Sequence, residues 1–424
     1  MIVLDTYTLI ILFALTIIVS YFFNLYSKKS GVPSVLMLIG LGIIINLLFS
    51  VFSINPPNLN SSLQFLGVIG LILIVLEAAL DLKILKEKFG VIFKSFLVSV
   101  LALFLTSCIS AYFLNFLISD LVFVECLLYT IPLSILSSAI ILPSLDLLSD
   151  SRKEFMVYES TFSDIVGIVG FYAVLGFVGS SDPEGVLPKT FLSLFTTILL
   201  SVAISYVLIY VFQNIRSHGK LFLLIAVLLL LYSIGKLFHL SSLIMIMIFG
   251  VILNNYKMFF GGSLRDFIIE DRVENVLSSF KLITVESAFV VRTFFFLIFG
   301  LTISLSSLLN IKSLLYGVVL IAIIYLVRAL VLLFFNRSFS IKSVSPELFL
   351  APRGLITILL FFSIPESISP SSVNFDGILL FVILASCLIM SWGLIKEKRR
   401  VEEQEAEDFE VINPERDLEK TDSI

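Results

Sequence analysis

The stretch ESTFSDIVGIV, from Glu159 to Val169, places two carboxylates in an otherwise apolar part of the sequence. A distant apolar stretch, IYLVRALVLLF, contains Arg328. On insertion scales, a charged side chain at the centre of a bilayer costs about 2.5–3.5 kcal/mol. Spanning chains keep such residues when they pair with each other or bind a species that crosses the membrane. The two stretches therefore predict a membrane transport protein, with ions as the first candidates for its substrate.

The composition excludes an ordinary soluble domain. The chain has 424 residues, of which 58% are hydrophobic and 14% are charged, and its mean hydropathy is +1.09. Soluble domains carry about 25% charged residues. Apolar runs of about 18 or more residues recur along most of the sequence, and each is long enough to span about 30 Å of hydrocarbon. The expected fold class is therefore an all-α polytopic membrane protein.

Thirteen apolar runs are predicted to span the membrane. The predicted spans are residues 6–25, 34–53, 63–81, 91–115, 121–145, 155–179, 188–213, 219–238, 240–254, 283–306, 313–335, 347–364 and 375–395. Every second connection is basic, whereas INPPNLNSS and PESISPSSVN carry neither Lys nor Arg. Because Lys and Arg concentrate on the cytoplasmic side, we expect an outside amino terminus and a cytoplasmic carboxyl terminus.

The predicted spans divide the chain into a transmembrane domain, residues 1–395, and a short charged tail, residues 396–424. The tail is acidic and poor in apolar residues, which predicts disorder. Compact connections without organelle-targeting features favour a multi-pass protein of a bacterial cell (inner) membrane. The expected partner is the lipid bilayer, and no nucleic acid is expected to bind. The three cysteines lie far apart, so neither a disulfide framework nor a metal site is predicted. No cofactor is expected.

Two spans carry residues that interrupt helices. The fifth reads LLYTIPLSILSSAIILPSL and the twelfth reads LFLAPRGLITILLFFSIP. Their helix-breaking and hydroxyl-bearing residues are Pro132, Pro143, Ser134, Ser137, Ser138, Pro352, Gly354 and Pro365. Each Pro could merely kink a packed helix while Ser bonds to its own backbone. Two such spans, one in each half of the chain, instead predict broken helices that cross and offer helix ends to a cation.

The carboxylates of the sixth span cannot form one tight pair. Glu159 and Asp164 are five residues apart, which on a helix is about 7.5 Å in rise and about 140° around the axis. Ser160 is one turn before Asp164 and could share its face, whereas Ser163 lies beside the face of Glu159. We therefore expect the two carboxylates to have separate functions.

In this order and spacing the residues resemble the monovalent cation:proton antiporters of the sodium/proton exchanger superfamily. The electroneutral branch has a Glu followed, after three residues, by an Asn-Asp pair in the sixth of thirteen spans, which Glu159, Ser163 and Asp164 match in spacing. Arg328 matches an arginine of the eleventh span, and APRGLITI around Arg353 matches a Leu/Pro-Arg-Gly turn of the twelfth. The stretches GVPSVLMLIGLGI, LEAALDLKIL and FFFLIFGLTISL also resemble the family, so the likeness covers most of residues 6–395.

The resemblance implies inverted repeats, with a core domain that moves against a dimerisation domain in an elevator-like cycle of a homodimer. Asp164 would bind the cation or a proton in alternation, and Glu159 and Arg328 would form a structural ion pair. The broken spans would cross beside Asp164. The residues assigned to ion or proton binding are Asp164, Ser163, Ser160, Ser137 and Ser138. Those assigned to the crossing are Pro132, Pro143, Pro352, Gly354 and Arg353.

Two departures from the family pattern affect the choice of ion. Ser163 replaces the usual Asn, and the fifth span lacks the Thr-Asp-Pro of the electroneutral branch. Instead, SILSSAIILPSL resembles the Ser-Ser-Thr-Ala stretch of the potassium-efflux branch. The cation ligands therefore differ from those of the well-matched exchangers. The resemblance to the electroneutral branch still favours sodium, with lithium and potassium as alternatives. Because one unpaired carboxylate remains and burial disfavours the charged form of a carboxyl group, we expect electroneutral exchange of a cation for a proton.

Several alternatives stay open at this point. Glu286 and Arg292 of the tenth span could pair with each other or line a cytoplasmic funnel. Arg353 could be a plain cytoplasmic anchor. An ion-coupled symporter or a channel could use a similar scaffold. A multi-span enzyme of polysaccharide assembly is less favoured, since the predicted outward loops are short and nearly uncharged and offer no acid and base for catalysis.

Overall fold

A computed structural model of the chain describes residues 6–52, 60–84, 86–178, 183–215, 219–238, 240, 242–302, 310–336, 344–368 and 373–412. Within these residues the secondary structure is helical, without strands. The helices are α1 (Thr6–Ser30), α2 (Ser34–Val51), α3 (Asn60–Asp81), α4 (Phe89–Leu117), α5 (Phe123–Ser134), α6 (Ser138–Ile141), α7 (Asp150–Val178), α8 (Pro183–Asn214), α9 (Lys220–Leu237), α10 (Ser242–Asn254), α11 (Tyr256–Phe259), α12 (Glu270–Thr302), α13 (Ile311–Asn336), α14 (Leu355–Phe361) and α15 (Phe375–Ile412). Short 3-10 turns lie at Lys86–Lys88, Leu142–Leu147, Gly262–Phe267 and Glu366–Ile368.

The predicted membrane architecture is confirmed in its main features. In the described part of the chain, ten helical segments are long and apolar enough to cross a membrane, and α10 is a shorter apolar helix. Each of the thirteen predicted spans contains a described helix. The fifth span is divided between α5 and α6, and the twelfth contains the short helix α14. These are the two spans whose sequences predicted breaks.

Two boundaries differ from the sequence prediction. α12 begins at Glu270, well inside the connection predicted between Asn255 and Leu282, and its first turn carries two acidic residues that favour a helix amino terminus. α15 continues through residues for which the sequence predicted disorder, as far as Ile412. The extension is rich in Glu, a good helix former, and Lys398 lies 3.8 Å from Glu402 one turn later. Residues 413–424 lie outside the described part of the chain.

The helices pack as two groups. We call α4–α7 with α13–α15 the core bundle, and α1–α3 with α8–α10 and α12 the second bundle, because the most extensive helix contacts fall within these groups. The core bundle takes three predicted spans from each half of the chain. In each set of three the broken span is the middle one, which agrees with the predicted core and inverted repeats.

Close backbone contact joins α2 and α12 inside the second bundle. A Cβ atom added to Gly42 would lie 2.9 Å from the Cα of Gly300, and one added to Gly300 would lie 3.1 Å from the Cα of Gly42. The added Cβ atoms would lie closer still to the backbone oxygens of Leu297 and Ile39, nearer than real Cβ atoms pack, so both positions need a residue without a side chain. Small residues at facing positions let membrane helices approach each other closely.

Two ion pairs join α3 to α12 in the second bundle. Arg292 Nη1 lies 3.2 Å from Glu77 Oε2, and Lys281 Nζ lies 2.5 Å from Asp81 Oδ1. Arg292 therefore pairs with Glu77 and not with Glu286, whose side chain is exposed. The predicted alternative of a Glu286–Arg292 pair is wrong because it considered partners on the same helix, whereas the guanidinium reaches the neighbouring helix.

A buried ion pair ties the core bundle together. Arg328 of α13 donates from Nη1 to Glu159 Oε1 at 2.7 Å and from Nη2 to Glu159 Oε2 at 3.1 Å. Its Nε and Nη2 also donate to the backbone oxygen of Glu347, at 3.1 and 2.7 Å. Arg328 thus connects α7, α13 and the segment that leads to α14. This two-pronged geometry is the strongest form of an arginine–carboxylate contact.

We expect Arg328→Met to destabilise the fold strongly, because it leaves the Glu159 carboxylate buried without its partner. Breaking a buried pair typically costs about 3–5 kcal/mol, whereas replacing both partners by apolar residues costs much less. The double variant Glu159→Leu/Arg328→Met should therefore unfold closer to the wild-type temperature than Arg328→Met does. Thermal unfolding of purified protein in detergent measures both. Lys281→Met, at the half-exposed pair, should change stability by about 1 kcal/mol or less; a loss there equal to that of Arg328→Met would contradict the argument.

Candidate ion-binding site

The fifth span breaks between α5 and α6. Ile135 and Leu136 are not helical, and the freed backbone N–H of Leu136 donates to Ser163 Oγ of α7 at 3.0 Å. Pro132 lies in the last turn of α5, while Pro143 lies in the 3-10 turn that follows α6. In a membrane interior, each freed backbone group needs a protein partner. The hydroxyl group of Ser163 therefore braces the break.

The twelfth span approaches this break through an extended segment before α14. The backbone N–H of Ser137 donates to the oxygen of Pro352 at 3.0 Å. A Cβ atom added to Gly354 would lie 2.9 Å from Ser137 Cβ. The two broken spans therefore cross at Ser137 and Gly354, in the way the sequence predicted, and the crossing needs a glycine because the chains come so close.

Arg353 lies inside the crossing and is buried. Its Nε donates to the oxygen of Leu133 at 2.6 Å, and its Nη1 donates to the oxygen of Ala351 at 2.9 Å. Its backbone N–H donates to Ser386 Oγ of α15 at 3.0 Å. Leu133 belongs to the last turn of α5, where helix carbonyls carry partial negative charge. Arg353 thus offsets the charge of a half-helix end, and the alternative of a surface anchor does not hold for it.

Asp164 of α7 lies beside the crossing and is 3% exposed. Its Oδ2 accepts a hydrogen bond from Ser138 Oγ, at the start of α6. Its Oδ1 has no hydrogen-bond partner among the described residues. Ser160, predicted to share the face of Asp164, donates to the oxygen of Val157 in its own helix at 3.3 Å. Of the predicted hydroxyl ligands, Ser138 is therefore the one that the structure brings to the carboxylate.

A small cavity of about 20 Å³ lies at the boundary between the two bundles, and Asp164 and Thr161 line it. It is otherwise apolar, with Val75, Ala78 and Ala79 of α3, Ile165 of α7, and Leu243 and Met247 of α10 among its lining residues. About 10–15 Å³ is enough for one water-sized particle. The cavity therefore has room for a single small species next to the carboxylate.

Thr161 is a residue of this site that the sequence interpretation missed. Its side chain is buried, and its Oγ1 has no hydrogen-bond partner within the described structure. It precedes Asp164 by three residues, and residues three apart lie on one face of a helix. That spacing could have identified it. A buried hydroxyl group without a partner costs about 1–3 kcal/mol, so a bound polar species would relieve a real penalty.

A larger cavity of about 450 Å³ lies next to the small one, toward the carboxyl end of α7. Both cavities are lined by Ile168, Leu243 and Ile244, which form an apolar partition between them. In the larger cavity, Lys236 Nζ lies 4.3 Å from the ring centre of Tyr172. Apolar side chains that belong to both cavity walls therefore lie between the cavity at Asp164 and the larger one.

The comparisons with known proteins agree with this architecture. The sequence profile of the family described as "Sodium/hydrogen exchanger, transmembrane" matches residues 11–395. No curated protein is a significant match to the sequence.

Solved structures share the fold. The sodium proton antiporter MjNhaP1 from Methanocaldococcus jannaschii at pH 8 superposes with a TM-score of 0.69 and 20% identity, over 92% of this chain and 97% of that one. An electron-microscopy structure of the same antiporter gives a TM-score of 0.66 and 18% identity, over 91% and 94% of the two chains. Since the family profile covers most of the sequence, the chain belongs to the sodium/hydrogen exchanger family, a family of transporters and not of enzymes.

Proposed function

We propose that this protein is a secondary active antiporter in which a monovalent cation and a proton compete for Asp164. Sodium is the preferred ion, with lithium and potassium as alternatives. The observation that carries the proposal is the position of Asp164, a buried carboxylate that has one unpartnered oxygen and lines a cavity between the two bundles. A buried carboxylate is costly unless it is neutralised, and either a proton or a cation would neutralise it.

The charged residues around the site support the exchange of one cation for one proton in each cycle. Glu159 is neutralised by Arg328, and Glu77 by Arg292. Among the described residues, Asp164 has a hydroxyl donor but no cationic partner. If each cycle carries one cation in one direction and one proton in the other, the site is neutral in both transits. We therefore propose electroneutral exchange in a one-to-one ratio.

The packing supports alternating access by relative motion of the bundles. The cavity at Asp164 has one wall from α7 of the core bundle and others from α3 and α10 of the second bundle. Sliding of α7 along these helices would carry Asp164 past Leu243 and Ile244 of α10. We further propose a homodimer formed through the second bundle, in a cell membrane, with the amino terminus outside and the carboxyl terminus in the cytoplasm.

The role of Asp164 is tested by proton flux in proteoliposomes with a pH dye in the lumen. We expect sodium, lithium or potassium to alkalinise an acid-loaded lumen, and Asp164→Asn to abolish the response, because the amide neither releases a proton nor neutralises a cation. Asp376→Asn is the matched control, since Asp376 lies in the first turn of α15 and does not line the cavity. An undiminished response in Asp164→Asn would contradict the proposal and favour a symporter or a channel.

Electroneutrality predicts that exchange is insensitive to membrane potential. Moving one net charge per cycle through 100 mV is worth about 2.3 kcal/mol, so electrogenic exchange would shift the final cation gradient by about 50-fold. In vesicles clamped at two potentials about 100 mV apart, we expect the same final sodium gradient at a given proton gradient. A shift of that size would show that more than one proton exchanges for each cation.

A further inference from the structure

We propose that Thr161 supplies a second oxygen ligand to the transported cation, next to Asp164 in the small cavity between the bundles. The inference rests on the proposed antiport at Asp164 and adds to it the residue that helps to set affinity and ion preference. Two oxygens would then hold the ion, Asp164 Oδ1 and Thr161 Oγ1, both from consecutive turns of α7.

The hydrogen bonds of α7 single out Thr161 among its neighbours. Ser160 donates to Val157 of its own helix, and Ser163 accepts from the backbone of Leu136. Each of these hydroxyl groups already has a structural function. Thr161 is 1% exposed, and its Oγ1 has no partner in the described part of the chain. Of three buried hydroxyl groups close to Asp164 in the sequence, that of Thr161 has no partner in the described residues and belongs to a residue that lines the cavity.

The position of the two unpartnered oxygens favours one shared ligand. Thr161 and Asp164 are three residues apart on α7 and line the same cavity of about 20 Å³. Residues at this spacing are neighbours on a helix surface. The cavity has room for one water-sized particle, which is also the scale of a monovalent cation without its hydration shell.

The chemistry of the cavity fits a hard cation that has lost part of its water. Carboxylate and hydroxyl oxygens are the protein groups that such cations prefer. The rest of the wall is aliphatic, including Val75, Ala79 and Leu243, and offers no oxygen from its side chains. Each protein oxygen therefore accounts for a large share of the coordination, and the loss of one should weaken binding most for the smaller, more strongly hydrated ions.

The test measures the sodium concentration that gives half-maximal exchange in proteoliposomes, for Thr161→Val, Thr161→Ser and Thr284→Val. Valine keeps the shape of threonine and removes the hydroxyl group, whereas serine keeps the hydroxyl group. Thr284 of α12 is the matched control, because it is also buried with an unpartnered Oγ1 but does not line this cavity. The same variants are heated in detergent at increasing sodium concentration, which reports binding without transport.

We expect Thr161→Val to raise the half-maximal sodium concentration about tenfold or more, as loss of a contact to a charged ligand should. The maximal rate should change little, potassium should be affected less than sodium, and thermal stabilisation should need correspondingly more sodium. Thr161→Ser and Thr284→Val should stay within about threefold of wild type. If Thr161→Val does not fold, Thr161→Cys, with its weakly coordinating thiol, replaces it.

The outcomes separate the two proposals. If wild-type protein exchanges cations and Asp164→Asn does not, but Thr161→Val behaves like Thr284→Val, the ligand role of Thr161 is overturned and the antiport mechanism stands. A loss of maximal rate without a change in the half-maximal concentration also overturns it, since that indicates a structural role. Absence of exchange in the wild type overturns both proposals.

Discussion

Arg328 holds both carboxylate oxygens of Glu159 and the backbone oxygen of Glu347 with one buried guanidinium. This contact sets the rotation of α7 about its axis, because Glu159 must face α13. Asp164 lies five residues further on, about 140° around the helix, and therefore faces α3 and α10 of the second bundle. The pair also uses the positive charge that could otherwise neutralise Asp164. The geometry of one structural ion pair thus leaves the second carboxylate without a cationic partner among the described residues.

The broken helices impose a second constraint, which is to satisfy backbone groups where no bulk water is available. Ser163 accepts from Leu136, Ser137 donates from its backbone to Pro352, and Arg353 donates to Leu133. These contacts tie α7, the fifth span and the twelfth span into one rigid unit. Under the proposed mechanism this matters, because a binding site must hold its ligands within about 0.5 Å of the productive geometry. In that mechanism the crossing would hold Asp164 in place.

The sequence was sufficient for features that depend on composition or on rare residues, such as the helical spans and the two breaks. The partnership of Glu159 with Arg328 was expected from the resemblance to the exchanger family. The sequence was insufficient for contacts between helices, because these depend on which neighbouring helix a side chain reaches. Arg292 pairs across helices with Glu77, a contact that no spacing within one helix reveals. Thr161 was missed because a threonine among apolar residues is usually a packing residue. Its significance comes from the lack of a partner for its hydroxyl group, which requires the surrounding helices to be known.

The apolar wall of the cavity explains how the proposed exchange could stay coupled. Coupling requires that the core bundle move when Asp164 is loaded and stay in place when it is empty. An empty, ionised Asp164 that slides past Val75, Ala78 and Leu243 would lose its solvation without gaining a partner, and burial of an unpaired carboxylate is strongly unfavourable. A proton or a cation on Asp164 removes that penalty. Aliphatic residues that contribute nothing to ion binding would therefore enforce the one-for-one exchange, because they make the unloaded transit too costly to occur.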